Sequence, residues 1–209
     1  MIKVHALQYS RAHRILWLLE ELSLDYEVVT YTRDPQTLAA EPALRAVHPL
    51  GKSPIIVTDG TVLAESGAII EFLLERHDTG TLRPAPKTDA GTRFLYWLHF
   101  AEGSLMPPLL IKLYLGRVGE VPEQVAQRVD GQVFNALEYA NDELAKRDFF
   151  AGQFSAADIQ MSYPVQAAAM QPGFADRFPN LQAWLDRIAE RPAYKRAIER
   201  GGEPMIPRR

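Results

Sequence analysis

The chain has 209 residues, 47% of them hydrophobic and 23% charged, with a net charge of −3. That is an ordinary globular composition, long enough for one large domain or two small ones, and its charge gives no electrostatic footprint for nucleic acid. It contains no cysteine, which excludes disulfides, thiolate metal sites and any chemistry that uses a cysteine of the protein as nucleophile.

No apolar run is long enough to span a bilayer. The opening Met-Ile-Lys-Val-His reads as a strand rather than a signal peptide, so a cytoplasmic setting is the expectation. Ile2 to Leu7 reads as the first strand. Ile15, Leu18, Leu19 and Leu22 then mark one face of a helix from about Arg11 to Leu24. Tyr26 to Tyr31 is a second strand. Asp34-Pro35 has the form of an N-cap followed by proline at the first helical position, and predicts a less regular helix reaching about Val47.

The stretch Leu50 to Ile70 is the most informative. Ile55–Val57 and Val62–Ala64 are short runs rich in β-branched residues, separated by Asp59-Gly60, the strongest short hairpin signal. Glu65-Ser66-Gly67 follows at once, and then Ile69, Ile70, Leu73 and Leu74 at helical spacing. The first turn of that helix, with its unpaired N–H groups and positive dipole end, suits a carboxylate or phosphate. Pro54 cannot donate to a ladder, so it belongs at a strand start, a bulge or an edge. The order βαβ, α, ββα is that of a thioredoxin-like fold, with the first pair parallel and the hairpin antiparallel.

Between Asp78 and Thr88 the apolar content falls and two prolines appear, which marks a linker. The predicted division is 1–78, a linker over 79–87, and an all-α domain over 88–209. Phe94, Trp97, Leu98, Ala101 and Leu105 form a stripe that must kink or stop at Pro107-Pro108. Val125, Val129, Val133, Leu137, Ala140 and Leu144 give a second long helix. Phe154-Ser155-Ala156-Ala157-Asp158-Ile159 reads as a capping box with Asp in place of Glu, plus a hydrophobic staple. Leu181, Trp184, Leu185 and Ile188 give a further helix, ended at Arg191-Pro192. The terminal Arg208-Arg209 pair reads as a solvated tail.

Gly-Lys-Ser-Pro, a hairpin, and Glu-Ser at a helix start resemble the glutathione-binding half of cytosolic glutathione transferases. The all-α second half, with its Ser-x-x-Asp box, is similar to that family too. The resemblance implies a cis Ser53-Pro54 bond, with the Ser53 backbone pairing the cysteinyl unit of glutathione. It also implies that Glu65 and Ser66 hold the γ-glutamyl end and Lys52 the glycine carboxylate, although Lys52 reads equally as a solvated loop charge. It implies a homodimer and glutathione as co-substrate, with no permanently bound cofactor.

Any reactive thiol must arrive with the substrate. A thiol of pKa about 8.5 is only a few per cent thiolate at pH 7, and lowering it to about 6.5 needs roughly 2.7 kcal/mol of anion stabilisation. A hydroxyl donor beside the positive end of a helix is a plausible source. Ser10 in Ser10-Arg11-Ala12-His13-Arg14 resembles the activating serine of the serine-type, theta-like transferases. It could instead only cap the helix, and Tyr9 is its rival. Arg14 reads most simply as an exposed helix residue. Tyr96, Trp97, Phe100 and Tyr114 could line a pocket for a small hydrophobic electrophile, or could be core or subunit interface. Glu102 is a candidate to reach the glutathione amine across a dimer. The five histidines lack metal-ligand spacing, so no metal is expected. Three functions follow: a glutathione transferase with added peroxidase activity, a non-catalytic binding module of the same fold, and a thiol–disulfide reductase, which the missing cysteine disfavours.

Overall fold

Strand β1 (Ile2–Leu7) lies inside a four-stranded sheet of order β2-β1-β3-β4. Its neighbours are β2 (Tyr26–Tyr31), parallel in the register Ile2↔Tyr26 to Leu7↔Tyr31, and β3 (Ile55–Thr58), antiparallel with His5↔Ile55. The hairpin closes on β4 (Thr61–Ala64) through Asp59 and Gly60, at φ 48° and 76°. Two successive positive φ values define the primed turn that matches strand twist, which is why Asp-Gly stands there. The computed structural model describes residues 1–34, 37 and 39–205.

Alternation sorts the sheet's residues between two faces. Leu7, Tyr31 and Ile55 pack with Leu44 of α2 (Ala43–Val47) on one face. Two helices, α1 (Ala12–Glu21) and α3 (Ser66–His77), pack on the sheet and on each other. The helix predicted from Asp34 is much shorter. Asp34 instead accepts the Thr37 N–H at 2.7 Å and its hydroxyl at 2.9 Å, and an isolated bridge pairs Arg33 with Ala40. A short carboxylate that captures a nearby backbone donor favours such a turn over a helix. The Pro35 part of that expectation lies outside the described residues, as does the Arg208-Arg209 tail.

Two compact units emerge: Met1–Leu82 together with Ile188–Arg209, and Arg83–Arg187. This differs from the division read in the sequence, because α10 (Pro192–Gly201) packs on α1. Gly201 allows the close approach: a Cβ there would lie 2.0 Å from Leu16 Cδ1. With helix on one side and sheet on the other, Ile15, Leu16, Trp17, Leu18 and Leu19 are all buried.

The other unit is helical. Thr88 caps α4 (Asp89–Phe100), accepting the Gly91 N–H at 3.0 Å. Where the proline pair demands a kink or a stop, α4 ends at Phe100 and a π-helical turn, Ala101–Leu105, leads into α5 (Met106–Leu115) with proline in its first turn. A wider turn tolerates the missing proline donors and keeps the path helical. Then come α6 (Glu123–Leu144), α7 (Ala156–Ala169), α8 (Phe174–Arg177) and α9 (Pro179–Ala189). The predicted capping box is present: Asp158 accepts the Ser155 N–H at 3.0 Å and its hydroxyl at 3.1 Å. No helix among the described residues is long and apolar enough to cross a membrane.

Candidate functional site

Strand β4 delivers the chain to Glu65, whose φ of 71° and ψ of 113° are rare for a residue with a side chain. Such a backbone costs of order 1–3 kcal/mol and is typical of ligand-binding turns. Glu65 is exposed, and the next residue, Ser66, is buried as the first residue of α3. Behind it, Arg14 of α1 is 0% exposed and its Nη1 donates to Ser66 Oγ at 3.2 Å. Arg14 is therefore not the exposed helix residue that the sequence suggests. Its position one turn before Leu18, on the apolar stripe, was the available signal.

At the start of β3 the Ser53-Pro54 bond is cis. The Ser53 hydroxyl donates to the His5 carbonyl at 3.0 Å and accepts the Leu7 N–H at 2.9 Å. A side chain thus ties β1 to the segment just before β3, beside the proline that has no N–H to give. Pro54 is buried, Ser53 is half-buried and Lys52 is exposed in the preceding loop.

The β1–α1 turn is held by Arg33, whose Nε donates to the Gln8 carbonyl and whose Nη2 donates to that of Tyr9, both at 3.2 Å. Tyr9 has φ 53° and is half-buried; its hydroxyl makes no hydrogen bond among the described residues. Ser10 is buried, donates to the Leu7 carbonyl at 2.6 Å and accepts the Ala12 N–H at 3.2 Å. Its oxygen is engaged just ahead of α1, whose N-cap residue is Arg11. Three residues on, His13 is pushed down to about 4 by burial. Its ring lies edge-on to Tyr194 at 4.9 Å, and neither ring nitrogen has a partner among the described residues.

Residues 10–76 match the family model "Glutathione S-transferase, N-terminal domain", and residues 94–192 match "Glutathione S-transferase, C-terminal domain". The chain is 34% identical to Glutathione S-transferase 1 of Saccharomyces cerevisiae, over 96% of this chain and 95% of that protein. It is 36% identical to Glutathione S-transferase 3 of Schizosaccharomyces pombe, over 96% and 88%. A solved glutathione S-transferase from Actinobacillus pleuropneumoniae superposes with a TM-score of 0.90 at 37% identity, covering 96% of this chain and 93% of that one. The chain belongs to the glutathione S-transferase family of enzymes.

Within this transferase the helical unit carries the other candidates. Trp97 is 1% exposed and packs against Phe150, Phe100 and Tyr139 at ring-centroid distances of 4.5, 4.8 and 5.4 Å. Phe100 is buried with it. These two belong to the unit's aromatic core, the other reading their spacing allowed. Tyr96 and Tyr114 are exposed, at 47% and 60%. Tyr96 contacts Tyr139, and burial with that neighbour's hydrogen bond pushes its phenol up to about 12. Tyr114 makes no ring contact with this cluster among the described residues. Glu102 sits half-buried in the π-helical turn.

Proposed function

We propose that this transferase binds glutathione on the thioredoxin-like unit and activates its thiol as a thiolate for attack on small hydrophobic electrophiles. The observation that carries this reading is the α3 start, where an exposed carboxylate (Glu65), a buried hydroxyl (Ser66) and the helix N-terminus stand together on one constrained turn. A γ-glutamyl group carries an ammonium and a carboxylate on one carbon. Glu65 suits the ammonium, and Ser66 with the helix N-terminus suits the carboxylate. The cysteinyl unit would then pair with the Ser53 backbone, and Lys52 would meet the glycine carboxylate.

At the thiol end, Ser10 must exchange its bond to the Leu7 carbonyl for one to sulfur. A neutral hydrogen bond contributes about 0.5–1.5 kcal/mol net and one to a charged group about 1.5–3, so the exchange favours the bound thiolate. Tyr9 is a second reading, favoured by a hydroxyl that bonds nothing among the described residues. In substitution the thiolate forms a sulfur–carbon bond while the leaving group departs with its electron pair. In addition to an enone the displaced π pair is protonated from water. With a hydroperoxide the thiolate takes the distal oxygen, alcohol leaves, and a second glutathione completes the disulfide and releases water.

Calorimetry with glutathione tests the binding half. Ser66→Ala and Glu65→Ala should each weaken affinity roughly tenfold or more, since a charge-assisted hydrogen bond is lost. Affinities equal to wild type in both variants would overturn the assignment. A turnover screen against halogenated aromatics, enones, isothiocyanates and hydroperoxides tests the chemical half, and no consumption of glutathione with any of them would refute it.

A further inference from the structure

We propose that Arg33 is a positioning residue for thiol activation: it clamps the β1–α1 turn so that the backbone N–H groups of Tyr9 and Ser10 are presented, with the Ser10 hydroxyl, to the glutathione sulfur. The inference rests on the reading that this turn receives the sulfur. Arg33 follows the last residue of β2 by two positions, and its backbone is held by the bridge to Ala40. From there its side chain crosses to the end of β1, where Gln8 continues the ladder by donating its N–H to the Tyr31 carbonyl at 3.0 Å. Arg33 Nε donates to the Gln8 carbonyl and Nη2 to the Tyr9 carbonyl, both at 3.2 Å.

Those two carbonyls belong to the peptide planes on either side of the Tyr9 Cα. The planes meet at the φ and ψ of Tyr9, whose φ of 53° lies in the left-handed region, uncommon for a bulky residue. One rigid guanidinium fork bonded to both planes fixes that conformation, which a single point donor cannot do. Both peptide bonds are trans, so the N–H of each plane points away from the side on which its carbonyl meets Arg33. The N–H groups concerned are those of Tyr9 and Ser10, and neither has a hydrogen-bond acceptor among the described residues. A peptide whose carbonyl accepts a hydrogen bond is also a stronger donor at its N–H. Two donors on consecutive residues, fixed before the ligand arrives, suit a charge that develops on one atom. The glutathione sulfur is such an atom, neutral in the free thiol and anionic when reactive. Arg33 stands on the opposite side of both planes and acts through them alone.

The test follows the ultraviolet absorbance of the bound thiolate against pH, with kcat and KM for glutathione, in wild type, Arg33→Lys and Arg33→Met. Affinity for S-methylglutathione, whose sulfur cannot ionise, is measured beside them by calorimetry. Arg33→Met should raise the bound thiol's pKa by about 1 and cut kcat near pH 6.5 about fivefold, with the loss recovered near pH 9. The KM for glutathione and the affinity for S-methylglutathione should stay within about twofold, because the γ-glutamyl and cysteinyl contacts are made by other residues. Arg33→Lys should fall between the two, keeping a cation without the fork. An unmoved pKa in Arg33→Met overturns the role of Arg33 and leaves thiolate activation standing. A parallel loss of S-methylglutathione affinity, or a fall in kcat that high pH does not restore, makes Arg33 a purely structural residue and overturns the proposal as well. A wild-type bound thiol that ionises only near about 8.5, the free value, removes the activation reading and this inference with it. Should neither variant fold, NMR of the wild-type protein decides. The Tyr9 and Ser10 amide signals and the Arg33 Nε–H signal should all titrate with the thiol of bound glutathione, and none should titrate with S-methylglutathione bound. An Arg33 signal that stays still while the thiol ionises overturns the proposal.

Discussion

Arg191 grips Glu21 with two parallel bonds, Nε to Oε1 at 2.6 Å and Nη2 to Oε2 at 2.8 Å, across 170 positions of sequence. The Trp17 indole N–H reaches the same Oε1 at 2.9 Å. Arg191 is the N-cap residue of α10, so the pair fastens that helix to the C-terminal end of α1. Two-pronged guanidinium–carboxylate pairs are the strong kind, and Glu21 is nearly buried at 10% side-chain exposure. Glu21→Ala removes the carboxylate that accepts these three bonds. It should cost about 2–3 kcal/mol in urea unfolding and speed proteolytic clipping before α10. A loss under about 0.5 kcal/mol would show the pair to be ornamental.

His13 predicts an acid limit to stability. Its folded pKa is about 4 against 6.5 for the free side chain. Between those values the unfolded chain holds the proton and the folded one does not, so stability falls as pH drops from about 6.5 toward 4. The full loss is roughly 3 kcal/mol at 1.36 kcal/mol per pH unit. His13→Phe keeps a ring against Tyr194 and removes the titration. Its urea midpoint should decline less than that of wild type over this range. The comparison cancels the carboxyls that titrate nearby, among them Asp158, which burial lifts to about 6. Parallel curves for the two proteins would contradict this account.

What could be read from the sequence was local. Asp59-Gly60, the Ser155–Asp158 box and the strand–helix order each depend on residues within a few positions of one another, and all are found as expected. Non-local facts were hidden. Asp158 also accepts the Phe150 N–H at 3.1 Å and the Trp184 indole at 3.0 Å, partners that no cap motif announces. The last helix legible in the sequence ends at Arg191-Pro192 and nothing there announces α10, whose partner α1 lies far away along the chain. Arg14 looked exposed for the same reason: its hydrogen-bond partner lies on another helix. The helix expected from Asp34 failed where a side chain outcompeted the backbone for a donor, which propensity averages over.

Assembly is a further expectation. Leu95 and Tyr96 on α4 and Val125 and Tyr139 on α6 are large apolar residues 44–52% exposed. Apolar side chains left this open on two long helices of one unit are material for a twofold interface. Light scattering should give twice 23.5 kDa at micromolar concentration. Leu95→Glu should shift the mass toward the monomer, because a charge placed in an apolar contact must be desolvated. A wild-type mass near 23.5 kDa would rule the dimer out.

The activating hydroxyl is decided by titrating the bound thiol. If Ser10 donates to sulfur, Ser10→Ala should leave glutathione affinity nearly intact and raise the bound thiol's pKa toward about 8.5. Turnover near pH 6.5 should then drop steeply and recover at high pH, where the thiol ionises unaided. Ser10→Ala also gives up the bonds to the Leu7 carbonyl and the Ala12 N–H. Its thermal stability must therefore be measured alongside, so that a damaged turn is not mistaken for lost activation. Tyr9→Phe removes a hydroxyl that bonds nothing among the described residues, so the fold should not notice it. The ultraviolet absorbance of the thiolate, followed against pH in both variants, separates the two. A pKa that rises in Tyr9→Phe and stays put in Ser10→Ala would hand the role to Tyr9. If it moves in neither, activation falls to the α1 N-terminus and the backbone, whose positive end both variants retain.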